Sequence, residues 1–196
     1  MIHKISGPSP LARVAALRDP VEEGFPGGAP DFRRLFEEHA RYVWRVLRRM
    51  GVPEADVPDV AQEVFMVVRR KLDHIHALSS ARAFIYGIAV REASDLRRSA
   101  RVRHERLTPI PPEEAVPAPQ QDDVERAEAA TLLKSTLERL DSEKRAVFIL
   151  YELEELDMRE VAEAVDCPLQ TAYSRLHAAR KAVTAAFERL EGGGRR

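Results

Sequence analysis

Near the C-terminus of this 196-residue chain, Gln170, Ser174, His177 and Lys181 recur at helical spacing, with Tyr173 and Arg180 on one flank and Arg175 on the other. At 100° per residue, Leu169, Ala172, Leu176, Ala179 and Val183 fall within an arc of about 80° on the opposite side, the side a core would cover. An amide, a hydroxyl, an imidazole, a phenol and three cations, with no carboxylate between 169 and 183, suit the major groove of DNA. Short polar groups read base edges there, while Arg and Lys hold phosphates. A solvated face of an ordinary bundle helix would look similar, so what precedes the helix decides between the two. Asp157 suits an N-cap with Glu160 three residues on, and Leu156 and Val161 are placed as a hydrophobic staple. The short helix this predicts, 158–165, ends at Asp166-Cys167-Pro168, and a longer one starts at once with Pro168 tolerated in its first turn. Short helix, tight turn, longer helix is the plan of a helix-turn-helix.

Other chemistry finds little support. His74 and His76 lie in a short polar stretch without partners at zinc or triad spacing, and no Gly-rich phosphate loop is present. Cys167 is the one cysteine, which excludes an internal disulfide or a cysteine zinc cluster. The expectation is therefore no catalytic residue, no metal, no cofactor and no enzyme activity. With 31 Lys+Arg against 32 Asp+Glu the net charge is −1, yet charge is sorted along the chain. The window 89–106 is rich in arginine and 113–128 is acidic. Separate basic surfaces joined by an acidic connector fit that pattern.

The elements that would position these groups follow from periodicity and punctuation. Residues 1–30 are rich in Pro and Gly and read as a flexible arm. Residues 107–123 hold Pro109, Pro111, Pro112, Pro117 and Pro119 and read as an extended spacer. Between them, 31–106 forms one helical block. Phe32, Leu35, Phe36, Tyr42, Val43, Val46 and Leu47 line a first helix stopped by Gly51 and Pro53. Asp56 suits the N-cap of a second, with Val57, Val60, Ala61, Val64, Val68 and Leu72 as its stripe and Asp59, Gln62, Glu63 and Met66 opposite. A third starts after Ser80. The second block, 124–191, opens with a helix over 124–140 and another from Asp141, and 192–196 is a tail. The fold class is all-α: two small helical domains on a Pro-rich linker, expected to behave as independent units. No apolar run approaches the roughly 20 residues that span a bilayer, so a cytoplasmic protein is expected.

The run from Arg159 to Arg180 resembles region 4 of the extracytoplasmic-function (ECF) group of bacterial sigma-70 factors, which carry E-(I/V)-A-x-x-(L/M)-x-x-P-x-x-T-(V/A)-x-S-R-(L/I)-x-x-A-R. The first block resembles region 2. Asp59-Val60-Ala61-Gln62-Glu63-Val64-Phe65 matches D-x-x-Q-E-x-F, Ala83 to Ala89 resembles (T/S)-W-L-Y-R-I-A, and Asp95-Leu96-Arg97-Arg98 resembles D-x-x-R-R. The resemblance implies a helical region 2 domain and a region 4 helix-turn-helix. Its partners would be core RNA polymerase and promoter DNA, with an anti-sigma factor as a further candidate. Region 2 would meet the β′ coiled coil through Asp59, Gln62, Glu63 and Met66. Phe84, Tyr86, Arg91, Arg97 and Arg98 would act on the −10 element, with the loop 73–80 cradling a flipped base. Region 4 would meet the β flap and read the −35 element through Gln170, Thr171, Tyr173, Ser174, Arg175, His177, Arg180 and Lys181. Phe84 shares a face with Ile88 and suits the core as well as it suits DNA. Phe84 stands where the pattern has Trp, Gly87 where it has Arg, and Tyr173 where Lys or Arg is common. The alternative is a stand-alone helix-turn-helix regulator whose first block senses or dimerises.

Overall fold

A computed structural model describes residues 9–15, 31–76, 80–104 and 121–193, and these hold helices without strands. A short helix, α1 (Pro10–Ala15), is followed by α2 (Phe32–Arg49), α3 (Val57–Arg70), α4 (Leu72–His76) and α5 (Ala81–His104). The second block contains α6 (Gln121–Arg139), α7 (Ser142–Phe148), a π-helical turn (Ile149–Leu153), α8 (Met158–Ala164) and α9 (Leu169–Gly193). Most of the spacer lies outside the described residues. Its last residues, however, already belong to α6, which begins three residues before the expected 124.

In the first block α2, α3 and α5 pack around Leu35, Val43, Val46, Leu47, Val64, Val68, Ile85 and Ala89, all buried. Asp31 caps α2 by accepting the Arg34 N–H at 2.7 Å. Gly51 ends the helix with φ +89°, donating to the Arg48 carbonyl while Val52 donates to that of Leu47. This is the paired bond of a Schellman cap, whose left-handed residue favours glycine. The side-chain cap expected from sequence at Asp56 does not form; its backbone is already helical, which turns the carboxylate away from the first N–H groups. Leu72 opens α4 instead of closing α3, so the expected loop 73–80 is a helical turn through His76, and 77–79 lie outside the described residues.

In the second block, Asp141 caps α7 through the Lys144 N–H, and Asp157 and Glu160 form the expected capping box on α8. Leu156 and Val161 are both buried, as a staple requires. The α8–α9 turn is a second Schellman cap, with Asp166 N–H on Glu163 and Cys167 N–H on Ala162. Asp166 takes the left-handed position at φ 50°, where a short polar side chain is tolerated.

Two expectations are corrected. Residues 10–15 of the arm form α1, capped by Ser9, and pack against α6, α9 and the π turn with Leu11 half-buried. The blocks are also not independent units: α5 lies directly on α8. The composition of a linker reports its own backbone and says nothing of whether the surfaces on either side are complementary. Here they are. A Cβ at Gly87 would stand 2.5 Å from the Ala164 carbonyl oxygen, so the bare glycine backbone is what lets the helices meet. Around that point Glu160 accepts from Ser80 Oγ at 2.7 Å and Arg82 at 3.0 Å. Glu154, with its side chain fully buried, accepts from Arg45 at 2.8 Å and from Arg49. Arg145, also fully buried, donates to the Leu137 carbonyl at 2.5 Å and crosses to that of Met50 at 2.8 Å, which Arg97 reaches at 3.1 Å.

Candidate nucleic-acid and polymerase interfaces

Helix α9 buries Ala172, Leu176, Ala179 and Val183 against α7 and α8. Leu169, expected in that stripe, is 41% exposed, because the first turn of the helix projects beyond the core. On the outer face Gln170, Tyr173, Ser174, His177 and Lys181 are exposed, and Thr171, Arg175 and Arg180 are half-buried. Tyr151, Gln170, Tyr173, Ser174, His177 and Arg180 line a shallow polar hollow on this face. The Ser174 hydroxyl donates back to the Gln170 carbonyl at 3.0 Å, a bond it can exchange for one to a base or water.

The two flanking arginines are held by carboxylates from neighbouring elements. Arg175 pairs with Glu143 of α7. Arg180 donates to Glu152 of the π turn at 2.6 Å, its guanidinium 5.3 Å from the Tyr151 ring centre. Sequence reasoning missed Glu143 and Glu152, because they lie 32 and 28 residues from their partners and no local pattern links them. Asp141 lies near the same arginine. Partial burial raises its pKa, but hydrogen bonds from Lys144 outweigh that and hold the carboxyl below its ordinary range.

On the first block Asp59, Gln62, Glu63 and Met66 are all exposed along one side of α3. Of these, Gln62 and Met66 also line a groove between α2 and α3 that is almost wholly apolar, formed with Phe32, Phe36, Trp44 and Phe65. Phe36 is 46% exposed, and its ring meets that of Phe65 at 4.8 Å. The sequence pattern counts Phe36 among the apolar residues that line α2 and passes over Trp44. Their spacing of eight residues, two helical turns and a little more, was a readable signal of a shared face.

The five residues expected at the −10 element are not brought together. Arg91 and Arg98 are exposed, Arg98 lying 3.6 Å from Asp95. Arg97 is half-buried on the Met50 carbonyl, and Phe84 is half-buried with its ring edge-on to His74 at 5.3 Å. Tyr86 is corrected: it is 1% exposed, packed against the His39 and Tyr42 rings, and does not face solvent in this arrangement. Burial pushes its phenol pKa well above the ordinary value, with the nearby Glu154 charge adding to the rise. The same burial lowers the His39 pKa.

Family comparison covers both halves. The Sigma-70 region 2 profile matches residues 35–103, and the Sigma-70 region 4 profile matches 130–183. The RNA polymerase sigma factor NccH of Alcaligenes xylosoxydans xylosoxydans is 30% identical over 162 residues, 80% of this chain and 87% of that protein. The ECF RNA polymerase sigma-E factor of Escherichia coli K12 is 30% identical over 179 residues, 83% of this chain and 90% of its own length. Among solved structures, CnrH in complex with the cytosolic domain of CnrY superposes with a TM-score of 0.60 at 22% identity, covering 91% of this chain and 95% of CnrH. The sigma factor RpoE of Bartonella quintana, in complex with the anti-sigma factor NepR, gives 0.64 at 18% identity, covering 81% and 97%. These two show a shared fold. With both regions matched in order, and sigma factors aligned over most of their length, the chain belongs to the ECF group of the sigma-70 family of RNA polymerase sigma factors.

Proposed function

We propose that this transcription initiation factor divides its work between its two helical halves. Region 2 docks on core RNA polymerase through the exposed Asp59, Gln62, Glu63 and Met66 edge of α3, and the apolar groove beside it receives side chains of the same partner. Exposed carboxylates on α3 beside exposed aromatic surface are what a helical partner with a mixed polar and apolar face requires. Region 4 reads the −35 element through the outer face of α9. Ser174 and His177 stand at its centre toward base edges, and Arg175, Arg180 and Lys181 toward phosphates. Arg91 and Arg98 supply backbone contacts near the −10 element. The reading rests on one observation above others: the capped α8, the tight Schellman turn and the carboxylate-free face of α9 form a complete helix-turn-helix.

Nucleotide chemistry in this scheme belongs to the core enzyme, and no role for a cofactor arises. Among the described residues no helix is long and apolar enough to cross a membrane, and action on polymerase places the factor in the cytoplasm. RpoE and CnrH were each solved with a bound partner, and a regulator of that kind is proposed for this chain as well. A stand-alone regulator is not favoured, because it gives residues 35–103 no reason to match region 2. Run-off transcription with core polymerase tests the proposal: transcripts from a subset of promoters, absent without the factor, are expected. Promoter binding that is equally specific without core would favour the stand-alone regulator.

A further inference from the structure

The arginines that flank the outer face of α9 are held by carboxylates in opposite ways. In the Arg175 pair the carboxylate is the outer group: the Glu143 side chain is 66% exposed and that of Arg175 21%. In the Arg180 pair the order is reversed, with Glu152 8% exposed and Arg180 39%. A phosphate approaching from solvent therefore meets Glu143 before Arg175, but meets Arg180 before Glu152. The geometry of the second guanidinium completes the contrast. One oxygen of Glu152, Oε1, accepts from Arg180 Nε at 2.6 Å and lies 2.5 Å from Nη2. That contact uses the Nε edge of the planar fork, and the donors at Nη1 and Nη2 form a second fork at the end of the same plane. The Tyr151 ring, its centre 5.3 Å from the guanidinium carbon, supports that plane from its face.

Both supporting residues come from the π turn, which is closed by the Glu154 N–H on the Ile149 carbonyl at 3.0 Å. Widened turns of this kind recur at functional sites. Tyr151 and Arg180 also line the polar hollow shared with Gln170, Ser174 and His177. We propose that Glu152 and Tyr151 are positioning residues for −35 recognition: they hold Arg180 with the outer end of its guanidinium toward a DNA phosphate, so that binding adds a contact without breaking one. The reading face then extends beyond α9 to an element that lies before the helix-turn-helix in the chain. The proposal rests on the assignment of α9 to the −35 element. Its consequence is that two carboxylates paired with arginines of the same helix act with opposite sign: Glu143 competes with DNA, and Glu152 assists it.

The test is a salt titration of holoenzyme binding to a promoter fragment with an intact −35 element, with circular dichroism on each variant of the full chain. Glu152→Gln should weaken binding about two- to tenfold, the range that ordering one long side chain costs on association. Its slope of log affinity against log salt should match wild type, since every cation remains. Arg180→Ala should weaken binding and lower that slope by about 0.9. Adding Glu152→Gln to Arg180→Ala should weaken binding no further, whereas a merely structural carboxylate would weaken it in both backgrounds. Glu143→Gln, which also removes one negative charge, should act in the opposite direction. Should Glu152→Gln lose helicity, Tyr151→Leu carries the test, because it removes the supporting ring and keeps the ion pair; it should weaken binding with the slope unchanged. If the variant that carries the test binds as tightly as wild type or more tightly, or weakens Arg180→Ala as much as it weakens wild type, the positioning role is overturned. Arg180→Ala equal to wild type in both affinity and slope overturns the assignment of α9 as well, so the two failures are distinct.

Discussion

Replacing Glu143 with glutamine should tighten promoter binding, and the reason lies in the geometry of Arg175. In the free protein that guanidinium is held by Glu143, whose side chain is 66% exposed. An ion pair so open to water contributes at most about 1 kcal/mol, so the substitution should leave the unfolding midpoint nearly unchanged. To hold a phosphate, Arg175 must give up that pair. Removing the competitor therefore returns up to the same 1 kcal/mol to DNA binding, a gain of up to about fivefold. Arg175→Ala acts in the opposite direction. Losing one phosphate contact lowers the slope of log affinity against log salt by about 0.9. Between 50 and 200 mM salt, the wild type should then lose about 3.5-fold more affinity than the variant.

The assay is a salt titration of holoenzyme binding to a set of promoter fragments differing only in the −35 element. Arg175→Ala should weaken all of them alike, whereas Ser174→Ala and His177→Ala should reorder them, with about 1–3 kcal/mol at stake for each base contact. If Glu143→Gln weakens binding, Glu143 is not a competitor. If Arg175→Ala reorders the fragments while Ser174→Ala and His177→Ala do not, the orientation assigned to α9 is wrong.

Other outcomes follow from the same structure. Asp59→Ala with Glu63→Ala should lower affinity for core polymerase while helicity and melting temperature stay close to wild type, since both side chains are exposed; an unchanged core affinity in a pull-down or interferometry titration would remove the docking assignment. Gly51→Ala should destabilise the chain by about 1–2 kcal/mol in urea unfolding, because its φ is +89° and the new Cβ would lie 2.9 Å from Arg145 Nη1. The N–H groups of Glu160 and Arg159 hold the Asp157 carboxyl below its ordinary pKa. A depressed folded-state pKa gives stability that is complete above the unfolded value and lost as pH falls through the folded one. Melting followed from about pH 5 downward should show that loss, and Asp157→Asn should flatten it.

How much of this was legible in the sequence depends on the range of the interaction. The capping box of Asp157 and Glu160, the stop at Gly51 and the exposed edge of α3 are set by residues within a turn or two of one another, and the one-dimensional pattern carries them. Tyr86 misled because an aromatic beside arginines looks the same whether it awaits a base or fills a core. Its burial is decided by His39 and Tyr42, more than forty residues away. Leu169 obeyed the helical wheel, but the wheel does not know where the neighbouring core ends. Gly87 read as a departure from the motif's Arg; only the backbone of Ala164 opposite shows what the missing side chain permits. Five prolines suggested a spacer between independent units, yet a spacer is equally compatible with two halves that dock.

The charged groups of that docked interface bear on what it contributes to the fold. Buried ion pairs are weak evidence of stability, because desolvation offsets most of the attraction. Glu154 with Arg45 and Arg49 therefore defines the register of the two halves more than it holds them together. Glu160 is arranged differently: the carboxylate that meets Ser80 and Arg82 also accepts the Asp157 N–H that completes the cap of α8. The cap of α8 is therefore made within region 4 itself, by Asp157 and Glu160. Arg145 likewise bonds the Leu137 carbonyl within region 4 as well as the Met50 carbonyl across the contact. Glu160 and Arg145 thus hold structure within region 4 as well as across the contact, whereas Glu154 is paired with Arg45 and Arg49 of the other half.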